Sequence, residues 1–135
     1  LMLMATDWPA FGDGLPAGLV KGGASISGIY DMEPIRLSYL NDKVGMDEDV
    51  ARRNAPLYKT YPVSLPLMVV SGDIESEEYA RQARAMEDVW RALRYPYEHL
   101  KLPGHNHFTM AHQLKNSDSI LIRALLRQMK LKVGQ

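Results

Sequence analysis

Pro103-Gly104-His105-Asn106-His107-Phe108 follows an alternating run, Tyr97-Glu98-His99-Leu100-Lys101-Leu102, and precedes Thr109 to Leu114 and a long apolar segment. Alternation of period two reads as a strand. The residues after the loop read as helices. A histidine on the tight turn after a strand is held at the strand's carboxyl end. In open α/β sheets ligands and chemistry sit there. A second stretch of this kind, Val69-Val70-Ser71-Gly72-Asp73-Ile74-Glu75-Ser76, ends another strand with carboxylates.

Working outward, Leu67 to Ser71 is a short apolar run, the pattern of a parallel strand buried on both faces. Ser76 reads as the cap of the clearest helix, with Glu77 and Glu78 favouring its dipole. Tyr79, Ala83, Met86, Trp90 and Leu93 step by four and three and make one apolar stripe, read as core packing. Arg94 to Pro96 ends that helix. Asn116 to Lys132 reads as a terminal helix capped by Ser117 or Asn116. Upstream, Leu19 to Ile29 reads as a buried strand. Asp31 is placed to cap a helix running to about Leu40, with Glu33 and Pro34 in its first turn. Asn41 to Asp47 reads as a turn, and Asp47 as the cap of a helix ending near Asn54. Thr6 to Pro16 and Pro56 to Pro66 read as irregular. Leu1 to Ala5 reads as the tail of a helix that starts upstream.

The order is strand, helices, strand, helix, strand, helix. That is the alternation of an α/β fold, parallel strands with covering helices. Three central-type strands do not bury their own edges and faces. The expectation is therefore that residues 1–135 form the carboxyl-terminal part of one larger α/β domain, with the missing amino-terminal half as its partner.

Composition narrows the function. Sixteen Lys and Arg balance sixteen Asp and Glu, so no basic excess points to nucleic acid or to an anionic membrane. No run of 18 apolar residues suggests a transmembrane helix. The absence of cysteine excludes disulfides, a thiol nucleophile and zinc–thiolate sites, and leaves the compartment open. A homo-oligomer is neither indicated nor excluded.

His107 is the first candidate for chemistry, because an imidazole with an ordinary pKa of about 6.5 works as a general base near neutral pH. Phe108 is expected to anchor the loop in the core. His105, two residues away, is the competitor. His105, His107 and His112 also admit a metal-binding reading, but no carboxylate stands at a matching local spacing and His-x-His is a weak motif. For the acid that orients an imidazole, Glu75 and Asp73 both qualify, and spacing does not choose between them. The plainer role for Asp73 is a turn residue after Gly72, and for Glu75 a charge before the helix. Gly23-Ala24-Ser25-Ile26-Ser27-Gly28 fails the Gly-x-Ser-x-Gly elbow spacing and lies in a strand, so Ser25 and Ser27 read as buried hydroxyls. An acid loop followed by a histidine loop is the tail of the Ser…Asp/Glu…His order of α/β-hydrolases.

Five stretches carry a more specific resemblance. They are Thr6-Asp7-Trp8, Ser27-Gly28-Ile29-Tyr30-Asp31-Met32-Glu33-Pro34, Ser38-Tyr39-Leu40-Asn41, Glu75-Ser76-Glu77-Glu78-Tyr79-Ala80-Arg81-Gln82 and Gly104-His105-Asn106-His107-Phe108. In this order, from Leu1 to about Leu114, the chain resembles the carboxyl-terminal half of the α/β-hydrolase group that contains kynurenine formamidase (arylformamidase) and related carboxylesterases. The resemblance implies a serine hydrolase of small carboxylic esters or aryl formamides, acting through an acyl-enzyme without metal or organic cofactor. It implies a nucleophilic serine a few residues before Leu1 and an oxyanion-hole loop further upstream. The family's acid precedes a Ser-x-Glu-aromatic-x-Arg-Gln run, which matches Glu75, with Asp73 as runner-up. The family's histidine matches His107. The family often has Asp where this chain has Glu75. The alternative from another class is a non-catalytic, hydrolase-like binding or interaction module.

Overall fold

The computed structural model describes residues 1–131. Strands β1 (Gly23–Ile26), β2 (Leu67–Gly72) and β3 (Tyr97–Leu102) form a parallel sheet in the order β1-β2-β3. The helices are α1 (Trp8–Phe11), α2 (Glu33–Arg36), α3 (Asn41–Val44), α4 (Glu48–Asn54), α5 (Glu77–Leu93) and α6 (Ile120–Gln128). Turns of 3-10 helix lie at Met2–Ala5, Pro56–Tyr58 and Met110–Lys115.

The central strand sets the layers. Successive β2 side chains point to opposite faces of the sheet. Leu67 and Val69 join a core with Ala83, Met86 and Trp90 of α5, together with Met4, Tyr30, Tyr61 and Leu65. Met68 and Val70 join a second core with Leu102, Met110, Leu121 and Ala124, on the α6 side. All four of these β2 residues are buried, as an apolar run covered on both faces requires. Register places Ser25, Val69 and His99 side by side, so those three share the α5 face. Trp90 is the largest anchor: its ring meets Tyr61 edge-on at 4.4 Å, and its indole N–H donates to the Leu65 carbonyl at 3.0 Å.

Several boundaries differ from the sequence reading, each for a local reason. β1 keeps only the middle of Leu19–Ile29, because Leu19 closes a turn onto the Pro16 carbonyl and Ser27 takes a positive φ of 47°. The helix expected from Asp31 to Leu40 is the single turn of α2. Asp31 does accept from the Glu33 N–H at 3.1 Å, but the helix stops at Leu37. Asn41 to Asp47 contains α3, closed by Gly45. Asp47 caps α4 as expected, accepting from the Val50 N–H at 2.8 Å. Ser76 stands at the α5 N-cap position without a side-chain bond, and Arg94 closes that helix in the left-handed conformation. The α5 stripe is buried at Ala83, Met86 and Trp90, while Leu93 is exposed and Tyr79 only half-buried.

α6 begins later than expected. Asn116 accepts from the Asp118 N–H in a tight turn, and Ser119 rather than Ser117 or Asn116 caps the helix, accepting from the Ile122 N–H at 3.1 Å. The expected end at Lys132 lies outside the described residues. Thr109 to Leu114 forms a 3-10 segment, Met110–Lys115. No described helix is long and apolar enough to cross a membrane.

Candidate active site

The site is built where β2 and β3 end side by side. After Gly72 the chain turns through Asp73, Ile74 and Glu75 into α5; after Leu102 it turns through Gly104 into the histidine loop. Three bonds tie these turns together. The Asp73 N–H donates to the Leu102 carbonyl at 3.3 Å, the Ile74 N–H to the His105 carbonyl at 3.3 Å, and the Gly104 N–H to Asp73 Oδ1 at 2.7 Å. The approach is so close at Gly72 that a Cβ there would lie 1.9 Å from the His105 carbonyl oxygen, so only glycine fits. Gly104 takes φ +71°, the left-handed conformation the tight turn needs.

Glu75 turns inward. Its side chain is only 3% exposed. The Gly72 N–H donates to Oε2 at 2.8 Å, and the Ser27 hydroxyl donates to Oε1 at 2.5 Å. His107 Nδ1 faces the same Oε1 at 3.7 Å. The His107 ring stacks on Tyr79, centroids 4.7 Å apart at 23°, with its Nε2 3.4 Å from the Tyr79 hydroxyl. Burial, and then the charge of Glu75, push the Tyr79 phenol above its ordinary pKa. The hydroxyl therefore keeps its proton at neutral pH, and Tyr79 meets the imidazole as a neutral wall.

The other candidates are engaged elsewhere. Asp73 is exposed, and its carboxylate accepts from the Gly104 backbone rather than from a histidine. His105 is half-buried and held within its own loop, with Nδ1 3.3 Å from Thr109 Oγ1 and Nε2 3.0 Å from the Gln113 amide. Among the described residues, no three His, Asp or Glu side chains gather to hold a metal ion. Ser25 sits in β1 and accepts from the Tyr30 hydroxyl at 2.9 Å. Ser27 lies one residue beyond the strand rather than inside it. Phe108 does not anchor the loop: it is 81% exposed, because Asn106 accepts from the Phe108 and Thr109 N–H groups and that turn aims the ring outward, its edge toward His107.

Sequence reasoning missed two neighbours of the pair. Tyr79 fell on the apolar stripe, although it stands in the first turn of α5, next to the acid turn. Ser27 passed as a strand hydroxyl, although Gly28 directly after it signals a strand end.

Against this geometry the comparisons are specific. The chain is 32% identical over 138 residues to a kynurenine formamidase of Salmo salar, a match covering 95% of this chain and 45% of that one. It is 30% identical over 135 residues to a kynurenine formamidase of Danio rerio, covering 93% and 44%. Over nearly its whole length the chain is thus homologous to these kynurenine formamidases, and its fold is α/β. It spans about half the length of the curated kynurenine formamidases it matches. Two solved α/β-hydrolase-type structures agree in fold. A thioesterase candidate from Silicibacter sp. superposes with a TM-score of 0.67 at 22% identity, over 76% of this chain and 37% of that one. Esterase B from Lactobacillus rhamnosis superposes with a TM-score of 0.55 at 14% identity, over 79% and 40%. No family model matches the chain.

Proposed function

We propose that the whole protein is a serine hydrolase of small carboxylic esters or aryl formamides, and that this chain supplies the acid and the histidine of its triad. The observation that carries the reading is a buried Glu75 carboxylate, bonded on both oxygens, with one oxygen facing His107 Nδ1 at 3.7 Å. The names of the relatives, kynurenine formamidase and esterase, support a hydrolase. This reading takes the nucleophilic serine and the oxyanion donors from outside these 135 residues, as the greater length of the relatives allows.

In the proposed cycle His107 Nε2 accepts the proton of that serine as its oxygen attacks the substrate carbonyl. The tetrahedral intermediate collapses as the C–O or C–N bond breaks, and His107 returns the proton to the leaving alcohol or amine. Water then attacks the acyl-enzyme, giving its proton to His107, which passes it to the serine oxygen as the carboxylic acid leaves. Glu75 fixes the imidazole tautomer and stabilises the imidazolium formed in both halves of the cycle. Tyr79 holds the ring from one face.

The test is His107→Ala in the full-length protein, assayed on p-nitrophenyl acetate and on an N-formyl arylamine. A histidine needed for both proton transfers costs about 10³-fold or more in kcat. Activity within a few-fold of wild type would remove His107 from the mechanism and favour a non-catalytic module or another base.

A further inference from the structure

We propose that Ser27 is a positioning residue of the active site, whose hydroxyl sets the orientation of the Glu75 carboxylate toward His107. This rests on the triad reading above and assigns to it a residue that the reading itself does not need.

The backbone gives the first sign. Among the described residues three non-glycine residues have positive φ: Ser27, Arg94 and Lys130. Arg94 and Lys130 follow the ends of α5 and α6, where a left-handed residue closes a helix as a matter of course. Ser27 has no helix to close. It follows β1, and its N–H continues the sheet ladder to the Val70 carbonyl at 2.9 Å. Serine pays a steric cost there that glycine would not. A sparsely populated backbone conformation kept by a residue that dislikes it points to a use for the side chain.

The side chain has one. Ser27 is buried, and its hydroxyl donates to Glu75 Oε1 at 2.5 Å; the Met110 sulfur, 3.9 Å away, is its other neighbour. The Gly72 N–H holds Oε2. With one donor on each oxygen the carboxylate plane cannot turn about its last bond, and the remaining lone pair of Oε1 is left for His107 Nδ1. Neither donor alone suffices. With Gly72 only, Oε1 swings about the Oε2 contact, and a 3.7 Å approach has no slack to lose. A bond between a hydroxyl and a buried carboxylate is also among the stronger neutral-to-charged kind.

The reading separates hydroxyl from backbone. Ser27→Gly removes the hydroxyl and relieves the positive φ; Ser27→Ala removes the hydroxyl and keeps the strain. If the hydroxyl orients Glu75, both variants of the full-length enzyme lose about ten-fold or more in kcat, with KM within about two-fold of wild type. In a Glu75→Gln background the same changes add less than about two-fold, because Ser27 acts through that carboxylate. A Ser27→Gly enzyme as active as wild type, or full additivity with Glu75→Gln, overturns the proposal. If Glu75→Gln and His107→Ala are themselves near wild type, the triad reading has failed instead, so the two failures are told apart.

Discussion

At the residue scale, two carboxylates two positions apart have divergent fates. Both follow Gly72 on the same turn, yet Glu75 points inward to the Ser27 hydroxyl and Asp73 points across to the histidine loop. Asp73→Asn keeps an oxygen that accepts from the Gly104 N–H, so activity is expected within about three-fold of wild type, with a stability loss of about 1 kcal/mol or less by urea unfolding. Glu75→Gln keeps the shape but loses the charge that stabilises an imidazolium. Its expected loss is about 10²–10⁴-fold in kcat with KM little changed. Should Asp73→Asn abolish turnover while Glu75→Gln spares it, the acid is Asp73. Spacing does not say which carboxylate turns inward, and only the resemblance ranked Glu75 ahead of Asp73. The difference arises from partners far along the chain, Ser27 on one side and Gly104 on the other.

At the element scale, α5 fixes the acid turn to the sheet, and Trp90 is its largest buried anchor. Trp90→Ala removes a fully buried ring with its edge contact to Tyr61 and its bond to Leu65, and should cost about 3–5 kcal/mol, read as a lower urea midpoint. Ser119→Ala should cost about 0.5–2 kcal/mol by loss of the α6 cap. What the sequence made legible follows the strength of the local signal. The apolar run of β2, the alternation of β3 and the α5 stripe each carry one consistent signal over most of an element, and all three elements are present. β1 and the α6 cap were harder to read. β1 starts at a glycine and is followed at once by a left-handed serine. The α6 start was decided between Asn116, Ser117 and Ser119 by a bond from the Ser119 hydroxyl to the Gln113 carbonyl, a contact that no capping pattern encodes.

At the scale of the whole molecule, the two faces of the sheet are covered differently, and one titrating group reports on the α5 face. His99 projects from β3 beside Ser71, with its Nε2 2.7 Å from the Ser71 hydroxyl. Burial first, and then the Lys101 cation, hold its pKa below the ordinary value, opposed by Glu87. The folded state thus takes up its proton at lower pH than the unfolded chain does. The stabilisation is complete above the unfolded value of about 6.5 and is lost as pH falls from there toward the folded value. In urea unfolding of the full-length protein from pH 8 to pH 5, His99→Gln should flatten the decline on the acid side of that window. An unchanged slope would mean that carboxylates elsewhere dominate it.

The contact of Gly72 with the His105 carbonyl has a consequence for anyone rebuilding this protein. Because the two turns interlock backbone to backbone, with no room for one side-chain atom between them, they form a single cassette. A histidine loop taken from a related protein will seat here only with its own acid turn, and lengthening either turn alone will dislodge the other. Diversity is better introduced at Ile74, whose side chain stands exposed on the acid turn and leaves the lock between the turns untouched.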